Sequence, residues 1–143
     1  MSITAVLLPV FVQVGLTFVL LFWMGRSRIG LLKAGEVKVR DIALGERNWP
    51  DRVLKVTNAY HNQFELPVLF YAIVTLALIT KKADLIFVVM SWMFVVTRLV
   101  HAGIHVTGNK VSQRFMAFLL GVLILMLMWI IFALRIFASE LGV

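Results

Sequence analysis

The sequence predicts an all-α integral membrane protein, a four-helix bundle. Two observations carry that prediction. Of its 143 residues, 62% are hydrophobic, and the mean hydropathy of +0.98 is too high for an ordinary water-soluble domain. The apolar residues also gather into four runs, approximately Ile3–Met24, Asn58–Thr80, Leu85–Val106 and Phe115–Phe137. Each is long enough to cross a bilayer, which takes about 20 helical residues. A run such as Phe115–Phe137 is apolar all round, whereas a barrel strand alternates over about ten residues. The length suits a single domain, with helices expected over 3–24, 52–80, 85–106 and 111–138.

The first helix is almost purely apolar, with Pro9 and a lone Gln13. Gln13 is expected to make an interhelical hydrogen bond. No basic stretch precedes the run and Arg26 and Arg28 follow it, so it reads as a retained span, not a cleaved leader. Residues 25–51 form the one extended loop, punctuated by Gly25, Gly30, Gly35 and Gly45. Its middle, Val37–Leu44, mixes apolar and charged residues as a surface-lying segment would, and Trp49 marks the headgroup level.

Helix 2 starts near Pro50 and Asp51, residue types suited to a helix N-terminus. Pro67 leaves the carbonyl of Gln63 without its helical donor and predicts a kink beside Glu65. Only Lys81–Asp84 separate helices 2 and 3, which therefore pack antiparallel. Thr107, Gly108 and Asn109 form a tight turn, and helix 4 follows with Arg114 at its start.

Charge predicts the orientation. Loop 1 and its flanks hold Arg26, Arg28, Lys33, Lys38, Arg40, Arg47, Arg52 and Lys55, against Glu36, Asp41, Glu46 and Asp51. Lys110 and Arg114 add to the same side. The positive-inside rule makes loops 1 and 3 cytoplasmic and puts both termini across the membrane, in a bacterial host at the inner membrane. The basic excess thus reads as topology and contact with membrane lipids. No compact basic motif accompanies it, so nucleic acid is not an expected partner. Cysteine is absent, which excludes protein thiolates and cysteine-based metal sites.

The candidate site is polar residues written into apolar helices. Asn58, His61, Asn62 and Glu65 recur at i, i+3, i+4 and i+7, one face of a continuous helix. Arg98, His101 and His105 recur at i, i+3 and i+7 in the next. An isolated charge in a bilayer helix costs about 2.5–3.5 kcal/mol or more, so the two faces are expected to meet each other or a shared polar ligand. Glu65 either pairs with Arg98 or, with Asn62, receives the amine end of a ligand. Arg98 and Arg114 suit carboxylate binding or thiolate stabilisation, although Arg114 at a span end also suits snorkelling to headgroups. His61, His101, His105 and Glu65 could imitate a metal or haem site. Without an HExxH-type element, hydrogen bonding or ligand contact is the preferred reading and no metal is expected.

The stretch from Arg52 through Lys55, Asn58, Asn62 and Glu65 to Pro67 resembles the second-helix signature of the membrane-associated eicosanoid and glutathione metabolism superfamily. That signature has arginines followed by Asn-x-x-Glu and a nearby proline. Arg98, His101, His105 and then Arg114 resemble the third-helix ladder and loop arginine of the microsomal glutathione transferases. The likeness covers essentially the whole chain and is nearer to the bacterial branch than to the leukotriene or prostaglandin enzymes. It implies a homotrimer with glutathione in a cytoplasm-facing cleft between subunits, and conjugation or reduction of lipophilic electrophiles or lipid hydroperoxides by the glutathione thiolate. By resemblance, Asn62 and Glu65 contact glutathione, Arg114 stabilises the thiolate, and Arg98, His101 and His105 complete the polar wall. Lys55 stands at the signature's first arginine. Asn58 stands at its second, which removes a carboxylate contact. The alternative is a non-catalytic lipid-binding or scaffold protein, a kind the superfamily also contains.

Overall fold

The first apolar run becomes α1 (Ile3–Lys33) in a computed structural model that describes residues 1–142. The Ser2 hydroxyl caps it by accepting from the Ala5 amide at 3.2 Å. The helix does not stop at Met24. Nothing after the apolar run breaks it until Gly35, whose φ of +74° closes a Schellman turn. There the Gly35 amide donates to the Leu32 carbonyl and the Glu36 amide to that of Leu31. The extra turns bury Leu31 against Val37 and Val53, so the loop starts later than expected and is anchored by its own apolar residues.

The expected single helix over 52–80 is two. α2 (Asp51–His61) passes into a 3₁₀ turn over Asn62–Phe64, the chain breaks at Glu65 (φ −98°, ψ −105°), and α3 (Leu66–Ile79) begins. Pro67 explains the break: without an amide hydrogen it leaves the Gln63 carbonyl without its helical donor, and the preceding turn tightens instead. α4 (Leu85–Val106) starts at Asp84, which accepts from the Phe87 amide at 2.9 Å. α5 (Val111–Glu140) is the last. α2 and α3 together make one span, so four segments are long and apolar enough to cross a membrane.

α4 packs against α1, α2 and α5 and is the most buried of the spans. The core lies among α3, α4 and α5, where Phe70 stacks on Phe94 at 4.8 Å and Ile73, Val95, Leu125 and Met128 fill the space around them. Gln13 and Gln63 are both buried and meet across α1 and the break, the Gln13 amide donating to Oε1 of Gln63 at 2.8 Å. That is the interhelical hydrogen bond expected of Gln13. Large apolar side chains also cover the outside, among them Phe11, Phe18, Phe22, Leu69, Val96 and Leu127. A surface like that suits lipid or further helices, not water.

The Lys55 ammonium donates to the Thr107 carbonyl at 3.2 Å, which puts the loop before α2 and the turn before α5 at one end. At the other end Arg135 donates to Asp84 at 2.7 Å. The Arg135 hydrogen bond holds the Asp84 carboxyl below its ordinary range. This stabilisation is present above that range and is lost as pH falls through the lowered value.

α4 and α5 pack without room for a side chain at Gly121. A Cβ there would lie 2.9 Å from the Thr97 Oγ1, which is itself held by donating to the Phe94 carbonyl at 2.6 Å. Gly121→Ala should therefore lower stability in detergent by about 1–3 kcal/mol through overpacking. Thr97→Ala in the same chain should restore most of it, as read by thermal melting.

Candidate functional site

A cavity of about 250 Å³ lies between the end of α2, the last turns of α4 and the first turns of α5. Asn62, His101, His105 and Arg114 supply its polar lining, and Val111, Phe115 and Phe118 its apolar lining. α4 is unbroken through this region, so the i, i+3, i+7 spacing of Arg98, His101 and His105 keeps all three on its buried face. The two histidine rings stand edge to face at 5.6 Å, and His101 lies 6.0 Å from Phe118. The Asn62 amide nitrogen is 3.3 Å from Nδ1 of His105. An amide nitrogen only donates, so Nδ1 accepts and the proton of the neutral ring sits on Nε2.

Arg98 lies three residues before His101 on the same buried face and is not among the residues that line the cavity. It is 0% exposed, and its one hydrogen bond is a long one, Nη2 to the Asn62 carbonyl at 3.4 Å. Its Nε and Nη1 have no partner, nor does Nδ1 of His101. Buried donors on a guanidinium are rarely left unpaired without a reason. Arg114, at the rim, donates to Oδ1 of Asn109 at 2.6 Å and is half-buried.

The other expected site residues are placed differently. Asn58 faces loop 1, where its Oδ1 accepts from Arg47 at 2.6 Å. Lys55 is spent on the Thr107 carbonyl. His61 and Glu65 are exposed and outside the cavity. Of the two alternatives for Glu65, the pairing with Arg98 is not formed within the chain: the ion pairs among the described residues are Arg40–Asp41, Arg52–Glu36 and Arg135–Asp84. The break at Glu65 is the cause, because it ends the helical register that would have carried Glu65 onto the face of Asn58 and Asn62. Among the described residues no three metal-ligating side chains gather.

Four residues that make contacts at this end of the bundle carried no expectation of such a role. Phe115 and Phe118 line the cavity, but their run is apolar throughout and marks neither out. Arg47 is one of many loop cations. Arg28, nearby, lies 4.8 Å from the Trp49 ring centroid and donates to the Thr57 hydroxyl at 3.1 Å, which fastens the end of loop 1 to α1 and α2.

Lined by one arginine and two imidazoles beside Phe115 and Phe118, the cavity suits an anionic polar ligand. No curated protein and no solved structure matches the chain. The model of the MAPEG family matches residues 6–134, nearly the whole of it. Four apolar spans and that match make the protein a multi-pass membrane protein, and it belongs to the MAPEG family.

Proposed function

We propose that the protein is a membrane-bound glutathione transferase or peroxidase, acting on lipophilic electrophiles or lipid hydroperoxides. The observation that carries the proposal is the convergence of Asn62, His101, His105 and Arg114 on one cavity, with the incompletely paired Arg98 guanidinium one helical turn before His101. Glutathione would supply the thiol that is conjugated or oxidised. Arg114 would hold the thiolate, giving up Asn109 for a stronger, charge-assisted hydrogen bond. Arg98 would set the positive potential that favours the ligand's carboxylates, and Asn62, His101 and His105 would fix its orientation. Phe115 and Phe118 would present the apolar acceptor from the bilayer side.

The cavity in one subunit is smaller than the roughly 300–1,000 Å³ usual for ligand sites. Glu65 and His61 are exposed at its flank. A second copy packed there would enlarge the site and bring Glu65 into it, so the small cavity suits an oligomer with the ligand between subunits, and membership of the MAPEG family favours a homotrimer. The second reading, a non-catalytic lipid-binding member, is favoured by an apolar groove of about 730 Å³ between α4 and α5, lined by Val100, Ile104, Met116 and Leu120 among others. Calorimetric titration of the detergent-solubilised protein separates the two. Saturable glutathione binding is expected, and no heat of binding at millimolar glutathione would remove the enzyme reading in favour of the lipid one.

The same reading puts the cavity end in the cytoplasm with loops 1 and 3. Reporter fusions after Lys82 and at Val143 should then read periplasmic in a bacterial host. Cytoplasmic signals from both would reverse the orientation.

A further inference from the structure

The opposite end of the bundle holds a second basic pocket, far from the cavity and unused by the function proposed above. It measures about 560 Å³ and is lined by Lys81, Lys82, Ala83, Asp84, Arg135 and Ser139 among others. Three cations face one carboxylate. Arg135 spends Nη2 on Asp84, and a guanidinium carries five N–H donors, so others remain for a ligand. Beside it the apolar residues Leu85, Ile86 and Phe137 are exposed on the outside of the bundle. A cationic pocket at the ends of three spans, next to an exposed apolar surface, is complementary to a molecule with an anionic head and a hydrocarbon tail.

The backbone adds an independent observation. α3 ends in a Schellman turn, in which the Lys81 amide donates to the Leu78 carbonyl and the Lys82 amide to that of Ala77. The residue at its left-handed position is Lys81, with φ of +57°. Glycine is the usual choice there because a Cβ is disfavoured in that conformation. At the corresponding position of α1 the chain does use glycine, Gly35. A lysine is thus held at a conformational cost where it borders the pocket.

We propose that Lys81, Lys82 and Arg135 form a binding site for the phosphate headgroup of an anionic phospholipid, with its acyl chains against the exposed apolar surface at Leu85 and Ile86. The phosphate would take charge-assisted hydrogen bonds from the two lysines and from the free donors of Arg135, on the side away from Asp84.

The Lys81→Gly/Lys82→Gln variant tests this without risk to the fold, since glycine relaxes the left-handed position. Thermal melting in detergent, with phosphatidylglycerol, phosphatidylcholine or inorganic phosphate added in turn, gives the comparison. Native mass spectrometry counts the lipids retained. The wild type should gain several degrees with phosphatidylglycerol and much less with the other two. The variant should melt no lower than the wild type without lipid, lose most of that gain, and bind phosphatidylglycerol at least tenfold more weakly. A control at the opposite end, Lys38→Gln/Arg40→Gln, should keep the full response. An unchanged response in the Lys81/Lys82 variant, or an equal gain with phosphatidylcholine, would overturn the site. Equal protection by inorganic phosphate would overturn the lipid as its occupant.

Discussion

Arg98→Met should raise the melting temperature of the ligand-free protein and weaken its affinity for glutathione. The side chain is fully buried, two of its guanidinium nitrogens have no partner, and the third makes one long bond to a carbonyl. Removing an ion from water costs several kcal/mol, and nothing within the chain offsets it here with an ion pair. Methionine fills similar space without the charge, so a gain of about 1–4 kcal/mol is the scale expected. The affinity loss should be roughly tenfold or more, equivalent to about 1.4 kcal/mol, because the positive charge buried one helical turn before His101 is lost. Glu65→Gln should have little effect on the isolated subunit, since Glu65 is exposed and unpaired there. If Arg98→Met instead costs about 3–5 kcal/mol, Arg98 has a carboxylate partner in the assembled protein. Melting of both variants, with and without ligand, distinguishes the two.

Arg114→Ala should lower kcat by about 10²–10³-fold, the usual consequence of deleting one donor aimed at developing negative charge. Stability should hardly move, because Arg114 is half-buried at the rim and its one polar contact in the subunit is Asn109. Arg114→Lys should recover only part of the rate. It keeps the charge but loses the planar fork of donors with which arginine holds an anion. Steady-state kinetics with a lipophilic acceptor, at saturating glutathione, reads the loss in kcat apart from any loss in KM.

Much of the architecture was legible because it depends on properties a sequence displays directly. Apolar runs of bilayer length give the spans, and α4 begins and ends where its run does, at Leu85 and Val106. An uninterrupted helix also preserves spacing, so Arg98, His101 and His105 lie on one buried face as their intervals require. Two features were hidden for the opposite reason. α1 outlasts its apolar run, because helix continuity is ended by Gly35 and not by the polarity of Arg26 and Arg28. The face written by Asn58, His61, Asn62 and Glu65 assumed an unbroken helix, but Pro67 acts upstream of itself and turns Glu65 out. A proline in such a position signals that periodicity is not to be carried across the residues just before it. Contacts made by Arg47 and Arg28 were illegible for another reason. They depend on how loop 1 folds back, and no periodicity governs a loop.

The central claim is that the cavity of Asn62, His101, His105 and Arg114 binds glutathione and favours its thiolate. Ultraviolet difference absorbance of the thiolate, followed as pH is raised, tests it most directly. A free thiol of this kind ionises near about 8.5. With the wild-type protein in excess, thiolate absorbance should appear well below that pH, and with Arg114→Ala it should move back towards the free value. Ionisation at the free value with the wild type, or a lowered value that survives Arg114→Ala, would contradict the claim.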